Sequence, residues 1–275
     1  MSILVTGATG KIGRLLVEDL LRREVPVRAL SRTPSTAALP EAVRVHQGTL
    51  ADVSLSAFDG VDTAFVFPAD GVDSFVARAV SAGVTRFVVL SSLAVSGRNA
   101  RDAASASAAH HRAVEEAVTT RTDGWTILRP GNLANNLLSW AWPVRAGHRV
   151  RIPYPTSSQV LVHEADVAAA AAIALTEPGH DRQIYELTGP RTSTKIEQLA
   201  AISAAIGRDI PFTEVGPDEF RSDVAQFIPS ELIDMLLQYW SETVDHPEEP
   251  LPAPLGLTPR PLTQWARDHR SDFAA

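Results

Sequence analysis

Cysteine is missing altogether from this 275-residue chain, which excludes disulfides, a thiolate nucleophile and any cysteine-ligated metal. Lysine occurs only at Lys11 and Lys195, and tyrosine only at Tyr154, Tyr185 and Tyr239. No apolar run approaches the roughly 20 residues that span a bilayer. The Ile3–Val5 run is too short for a secretion signal, and Lys11 follows it rather than preceding it. Positive charge is scarce as well: the formal net charge is −7, without the clustered cations that a nucleic-acid backbone demands. These absences set the expectation of a cytoplasmic protein with no membrane and no nucleic-acid partner. What remains is ordinary globular composition, 45% hydrophobic and 21% charged, in a chain long enough for one large α/β unit.

Against that background one stretch stands out, Thr6-Gly7-Ala8-Thr9-Gly10-Lys11-Ile12-Gly13. Ile3-Leu4-Val5 before it reads as a buried strand, and Ile12, Leu15, Leu16 and Leu20 after it recur at helical spacing. Strand, glycine turn and helix in that order aim free N–H groups at a phosphate. Gly7 suits the tight turn, Gly10 a close approach of pyrophosphate to the backbone, and Gly13 a helix lying close on the strand. The bland alternative is a structural turn only.

Strand and helix signals then alternate. Strands are expected at 25–30, 43–47, 63–67, 86–92 and 125–129, with helices over about 72–82 and 101–120. Such alternation predicts a parallel sheet covered on both faces. The second half is less regular: a short helix and loop over 132–158, a strand at 160–162, an Ala-rich helix opened by Asp166, a seventh strand at 184–188, and a helix at 195–206. Beyond Pro211 the chain reads as mostly helical to Asp245, then as a stiff proline-rich connector and a last helix over 262–269.

With these motifs in hand the chain resembles the NmrA-like atypical short-chain dehydrogenase/reductases. The resemblance rests on the glycine turn, on Gly48-Thr49-Leu50-Ala51-Asp52, on Ser91-Ser92, on His111-Arg112-Ala113-Val114-Glu115, on Trp125-Thr126-Ile127-Leu128-Arg129-Pro130, on Asn136 and on Asp166-Val167-Ala168. It implies an α/β fold, a Rossmann-type doubly wound parallel sheet with a small, mainly helical C-terminal substrate region. As a division of one α/β unit, residues 1–131 and 160–190 would form the dinucleotide-binding core, and 132–159 and 191–275 would cover the substrate. The cofactor would be a nicotinamide dinucleotide, held around Thr6, Gly7, Thr9, Gly10, Lys11, Ile12, Gly13, Leu50, Asp52, Ser91, His111 and Pro130. Phe67 and Pro68, ending the fourth strand, would border the nicotinamide.

Which dinucleotide is a matter of charge. NAD sites place an acid at the end of the second strand to hold the ribose 2′-hydroxyl. Here the corner reads Leu30-Ser31-Arg32-Thr33, with no carboxylate. A guanidinium at Arg32 would pair with a 2′-phosphate, with Ser31 or Thr33 donating to the same oxygens and Lys11 near enough to help. NADP(H) is therefore favoured over NAD(H). The competing reading of Arg32 is an ordinary surface arginine.

The proton-donating Tyr-x-x-x-Lys pair of ordinary short-chain dehydrogenases is absent: alignment puts Ser107 and His111 in its place. His111 is the one catalytic candidate, although the resemblance gives it the nicotinamide ribose to hold, and packing against Glu115 one turn away is the bland alternative. His110, His111 and Glu115 lack a third convergent ligand, so no metal is expected. Asn132, Asn136, Trp140 and Tyr154, with Trp142 and Phe227, are the candidate contacts for a small-molecule substrate, although burial statistics favour core or lid packing for each aromatic. His163 is a further residue that could face the site. Three functions fit: an NADPH-dependent reductase of a small aromatic or conjugated carbonyl, quinone or imine; a non-catalytic NADP(H)-binding redox sensor; or an isomerase or cyclase on the same fold. A homodimer is allowed, since no sequence feature decides the oligomeric state.

Overall fold

The computed structural model describes residues 2–98, 102 and 104–274. It divides into two compact units, the first formed by Met1–Gly131, Glu164–Leu187 and Ala253–Leu257, the second by Asn132–His163, Thr188–Pro252 and Thr258–Ala275.

Seven strands make the sheet of the first unit: β1 Ser2–Val5, β2 Val27–Ser31, β3 Arg44–Gln47, β4 Val61–Val66, β5 Arg86–Leu90, β6 Gly124–Pro130 and β7 Gln183–Leu187. Their spatial order is β3-β2-β1-β4-β5-β6-β7, and every pairing is parallel. The order reverses between β1 and β4, which opens a crevice above their carboxyl ends. Helices α1 Lys11–Arg22, α2 Val72–Ser81, α3 Ala106–Thr119 and α4 Glu164–Thr176 complete the unit, α1 lying beside α4 and α2 beside α3. The central strands are apolar on both faces because each face is covered. Leu4, Ala64, Val66, Phe87, Val89 and Ile127 meet Phe75 and Val76 of α2 and Val114 and Val118 of α3 in one continuous core. This is the covered parallel sheet that the alternation predicts, in the doubly wound Rossmann-type order that the resemblance implies.

The approach of α1 to β1 depends on one missing side chain. A methyl group at Gly13 would lie 2.2 Å from the Gly7 carbonyl oxygen and 2.8 Å from the Ala8 Cα. Both are backbone atoms, so neither can step aside.

The second unit has its own core, in which Leu137, Val144, Val150, Ile152, Leu199, Ile202, Leu262, Trp265 and Phe273 pack together. Helix α5 Lys195–Ile206 starts with a capping box between Thr194 and Glu197 and stops at Gly207, whose φ is +66°. Helix α6 Ser230–Asp245 follows the short helix Pro217–Val224. The unit also holds strands that the sequence pattern conceals. Val150–Ile152 pairs in parallel with Phe212–Glu214, inside a stretch expected to be helical, and Ser158–Gln159 pairs antiparallel with Ser193–Thr194. The strand expected at 160–162 is instead a single bridge between Leu133 and Val162. Beside it Gly189 packs closely, where an added Cβ would sit 2.0 Å from the Leu161 carbonyl oxygen. The helix expected from Arg101 is described from Ala106, capped by Ser105, and Arg101 itself lies outside the described residues. The helix expected to open at Asp166 begins at Glu164.

Lys195 begins α5 and is only 3% exposed. Its Nζ donates to the Pro153 carbonyl at 2.7 Å and stands 3.3 Å from the centroid of the Trp240 ring. Burial pushes its pKa down to about 6, and the positive end of the helix dipole acts in the same direction.

Two outcomes are expected. Gly13→Val should lower unfolding stability by about 2–3 kcal/mol through overpacking, measurable by denaturant titration, whereas Gly83→Ala, next to open space although strained at φ +97°, should cost less. The folded pKa of Lys195 lies below that of an unfolded lysine, about 10.4. The native state thus binds fewer protons than the unfolded chain above pH 6, and stability should rise with pH there. The Lys195 contribution reaches at most about 1.4 kcal/mol per pH unit, and Lys195→Met should remove it from a pH series of unfolding curves.

Candidate functional site

The residues expected around the dinucleotide gather at the carboxyl ends of the first unit's strands. Thr6 continues from β1 with its hydroxyl buried between strands, donating to the Phe65 carbonyl at 3.0 Å and accepting from the Phe67 N–H at 2.7 Å. Its side chain thus positions Phe67 instead of pointing outward. Gly7 follows at φ +63°, and an added Cβ there would meet the Phe67 side chain at 2.8 Å. Glycine is therefore needed at this turn twice over, for conformation and for space.

Gly10 is the N-cap of α1, with no side-chain cap and no acidic residue in the first turn. An added Cβ at Gly10 would touch only the Gly7 carbonyl oxygen, at 3.2 Å, so the space in front of the helix is otherwise open. Thr9 and Lys11 are exposed beside it, and Ile12 is buried. An uncapped helix start behind a glycine turn is the arrangement that suits a pyrophosphate.

At the end of β2, the Ser31 hydroxyl is buried and accepts from the Thr33 N–H at 3.2 Å, while Arg32 is exposed. No carboxylate occurs from Ser31 to Pro40. After β3 the chain turns sharply: Asp52 N–H donates to Thr49 Oγ1 at 3.0 Å and Thr49 N–H to the Asp52 carbonyl at 3.1 Å. Leu50 points into the core of this unit, and Asp52 is exposed. Phe67 is 40% exposed at the end of β4, and Pro68 beyond it is half-buried.

The ends of β5 and β6 carry a buried ion pair. Ser91 donates to the Glu115 carboxylate, and Arg129 donates to the same carboxylate through Nε at 2.9 Å and an Nη at 2.7 Å. The fork ties α3 to the sheet, and its hydrogen bond to Glu115 holds the Arg129 pKa above the ordinary guanidinium value. Ser91 is thereby committed to Glu115, and Pro130 closes the strand in a buried position. The Glu115 carboxylate, one turn from His111, accepts from Ser91 and Arg129. His111 is half-buried, and its Nδ1 is buried without a hydrogen-bond partner. Burial first, and then the neighbouring His110, lower its pKa, so the imidazole is neutral at neutral pH.

The substrate candidates belong to the second unit. Asn132 donates to the Tyr239 hydroxyl at 2.6 Å. Asn136 is exposed, Trp140 packs against the unit's core, and Tyr154 is half-buried at φ +50°. Trp142 and Phe227 are 66% and 76% exposed. His163 is buried against Asp268, 3.2 Å from its carboxylate. The sequence flagged all of these except Tyr239, whose tie to Asn132 spans 107 positions and leaves no local signal.

A family model described as NAD(P)H-binding matches residues 7–178. The chain is 34% identical over 283 residues to the (4-alkanoyl-5-oxo-2,5-dihydrofuran-3-yl)methyl phosphate reductase of Streptomyces griseus, covering 99% of both chains. It is 27% identical over 288 residues to the NAD(P)H azoreductase of Xenophilus azovorans, again over 99% of both. The Citrobacter triphenylmethane reductase solved with NADP(H) shares its fold, with a TM-score of 0.77, 22% identity, and coverage of 98% of this chain and 100% of that one. The glycine turn, the seven-stranded parallel sheet and these likenesses agree, and the chain belongs to the NAD(P)H-binding family, among the NmrA-like atypical short-chain dehydrogenase/reductases.

Proposed function

We propose that this protein is an NADPH-dependent reductase that passes hydride to a small conjugated acceptor, an enone, quinone or imine, without a tyrosine–lysine pair. The observation that carries the reading is the uncapped N-terminus of α1 standing beside a corner that has arginine and no carboxylate. Backbone N–H groups at Lys11, Ile12 and Gly13 would hold the pyrophosphate, and Arg32 with Lys11 the 2′-phosphate. Phe67, seated over Gly7, would border the nicotinamide. His111, neutral and with an unsatisfied Nδ1, would hydrogen-bond the adjacent ribose.

The nicotinamide, when bound, supplies the hydride. Ser107 and His111 occupy the place of the missing pair, and Ser107 is exposed. A serine hydroxyl is a poor acid, so the protein offers no strong proton donor there. That suits an acceptor whose negative charge delocalises as hydride arrives, since water can then supply the proton. The relatives' names point the same way: a dihydrofuranone whose alkene carries carbonyls, an azo compound and the triphenylmethane dyes are all conjugated. The sensor reading calls for an apolar face along 232–240. On α6, however, Ile233, Leu237 and Tyr239 are buried, and Leu232 is the one large apolar side chain exposed there. The reductase is the better reading.

Calorimetric titration should show NADPH binding at least about tenfold, or 1.4 kcal/mol, more tightly than NADH; equal affinities would remove the role given to Arg32. Gly10→Leu should abolish binding of both, because the new side chain fills the space before the helix start. His111→Ala should weaken NADPH by about 0.5–1.5 kcal/mol, the worth of one hydrogen bond, with turnover of a quinone retained. A loss of turnover by about 100-fold or more at saturating NADPH would instead make His111 the proton donor.

A further inference from the structure

We infer that Arg14 sets the choice of dinucleotide from behind the site, by fixing the loop that carries Arg32; this rests on the NADPH reading above. Arg14 is the fourth residue of α1, and its backbone N–H makes the first helical bond, to the Gly10 carbonyl. Its guanidinium donates to three carbonyl oxygens: from Nε to Thr9 at 3.0 Å, from one Nη to Ala38 at 2.7 Å and from the other to Ala37 at 2.7 Å. One planar group thus joins the glycine turn to the segment after β2.

The segment's other hydrogen bonds are local. At its near end, Ser31 accepts from the Thr33 N–H. In its middle, Pro34–Thr36 forms a single 3₁₀ turn with bonds to Thr33 and Pro34 carbonyls. At its far end Ala38 has φ +47°, a left-handed conformation disfavoured for alanine. The Arg14 fork holds the carbonyls on both sides of the Ala37–Ala38 bond and so selects this conformation. Arg32 is exposed between the Ser31 and Arg14 anchors, so its backbone direction is fixed by both.

Charge supports the same role. The three acceptors are neutral carbonyls, so none of them cancels the guanidinium charge. Arg14 therefore keeps its positive charge at a corner that already carries Lys11 and Arg32, and adds to the field favouring a 2′-phosphate. Lysine could keep the charge but not the fork, because its donors share one nitrogen and cannot reach three divergent carbonyls.

The test measures NADPH and NADH affinities by calorimetry for wild type, Arg14→Ala, Arg14→Lys and Arg32→Ala. Hydrogen exchange at the amides of 33–38 is read in the cofactor-free protein. The inference expects both Arg14 variants to lower the NADPH/NADH affinity ratio on the order of tenfold, as Arg32→Ala does, with faster exchange over 33–38 and NADH affinity little changed. It is overturned if Arg14→Lys keeps the wild-type ratio, since charge alone would then suffice. Equal weakening of both cofactors would reduce Arg14 to a support of the glycine turn. A lowered ratio with unchanged exchange would make it a direct ligand. If Arg32→Ala leaves the ratio unaltered, the NADPH reading fails and this inference falls with it; if only the Arg14 variants keep the ratio, the inference alone fails.

Discussion

The close contact between α1 and β1 is the constraint on which the rest of the first unit depends. Gly13 has to lie against the Gly7 carbonyl and the Ala8 backbone, at distances no side chain tolerates. Given that contact, the axis of α1 points its uncapped start over the end of β1. Thr6 then bonds to the end of β4, which brings Phe67 over Gly7. The crevice between β1 and β4, where the strand order reverses, is thus bordered by backbone and by one aromatic ring.

On the other side of β4, order comes from charge. Glu115, Arg129 and Ser91 join α3 to the ends of β5 and β6 through a bidentate, largely buried pair. Burying two charges is costly unless their remaining lone pairs and protons are satisfied, and here the serine completes the carboxylate. The pair uses up the one acid within a helical turn of His111, leaving that imidazole neutral and its Nδ1 unsatisfied.

The second unit is organised differently, around a buried lysine. Lys195 is clamped between the Pro153 carbonyl and the Trp240 ring, and the backbone N–H groups of Lys195 and Ile196 donate to Ser157 and Pro155. Tyr154, in its left-handed conformation, sits within that clamped segment. A candidate substrate contact is therefore held by a residue that sequence reading notices only for its rarity.

The strands and helices of the first unit were legible in the sequence. Apolar runs in β1, β4, β5 and β6 exceed any polar alternative, and strand-length runs alternating with helical ones leave a parallel sheet as the outcome. The glycine spacing likewise announced the turn, because φ +63° favours glycine at Gly7 and the contact at Gly13 leaves no room for a side chain. Tertiary structure alone decided what each polar side chain faces. Ser91 and Thr6, which the motifs placed at the cofactor, turn their hydroxyls to Glu115 and to β4, while Arg14, unmarked in the sequence, bridges to Ala37 and Ala38. The short strands of the second unit were equally illegible, since two or three residues carry no period. Periodicity reports which face is buried, but a hydrogen-bond partner 23 or 24 positions away is chosen only when the chain has closed.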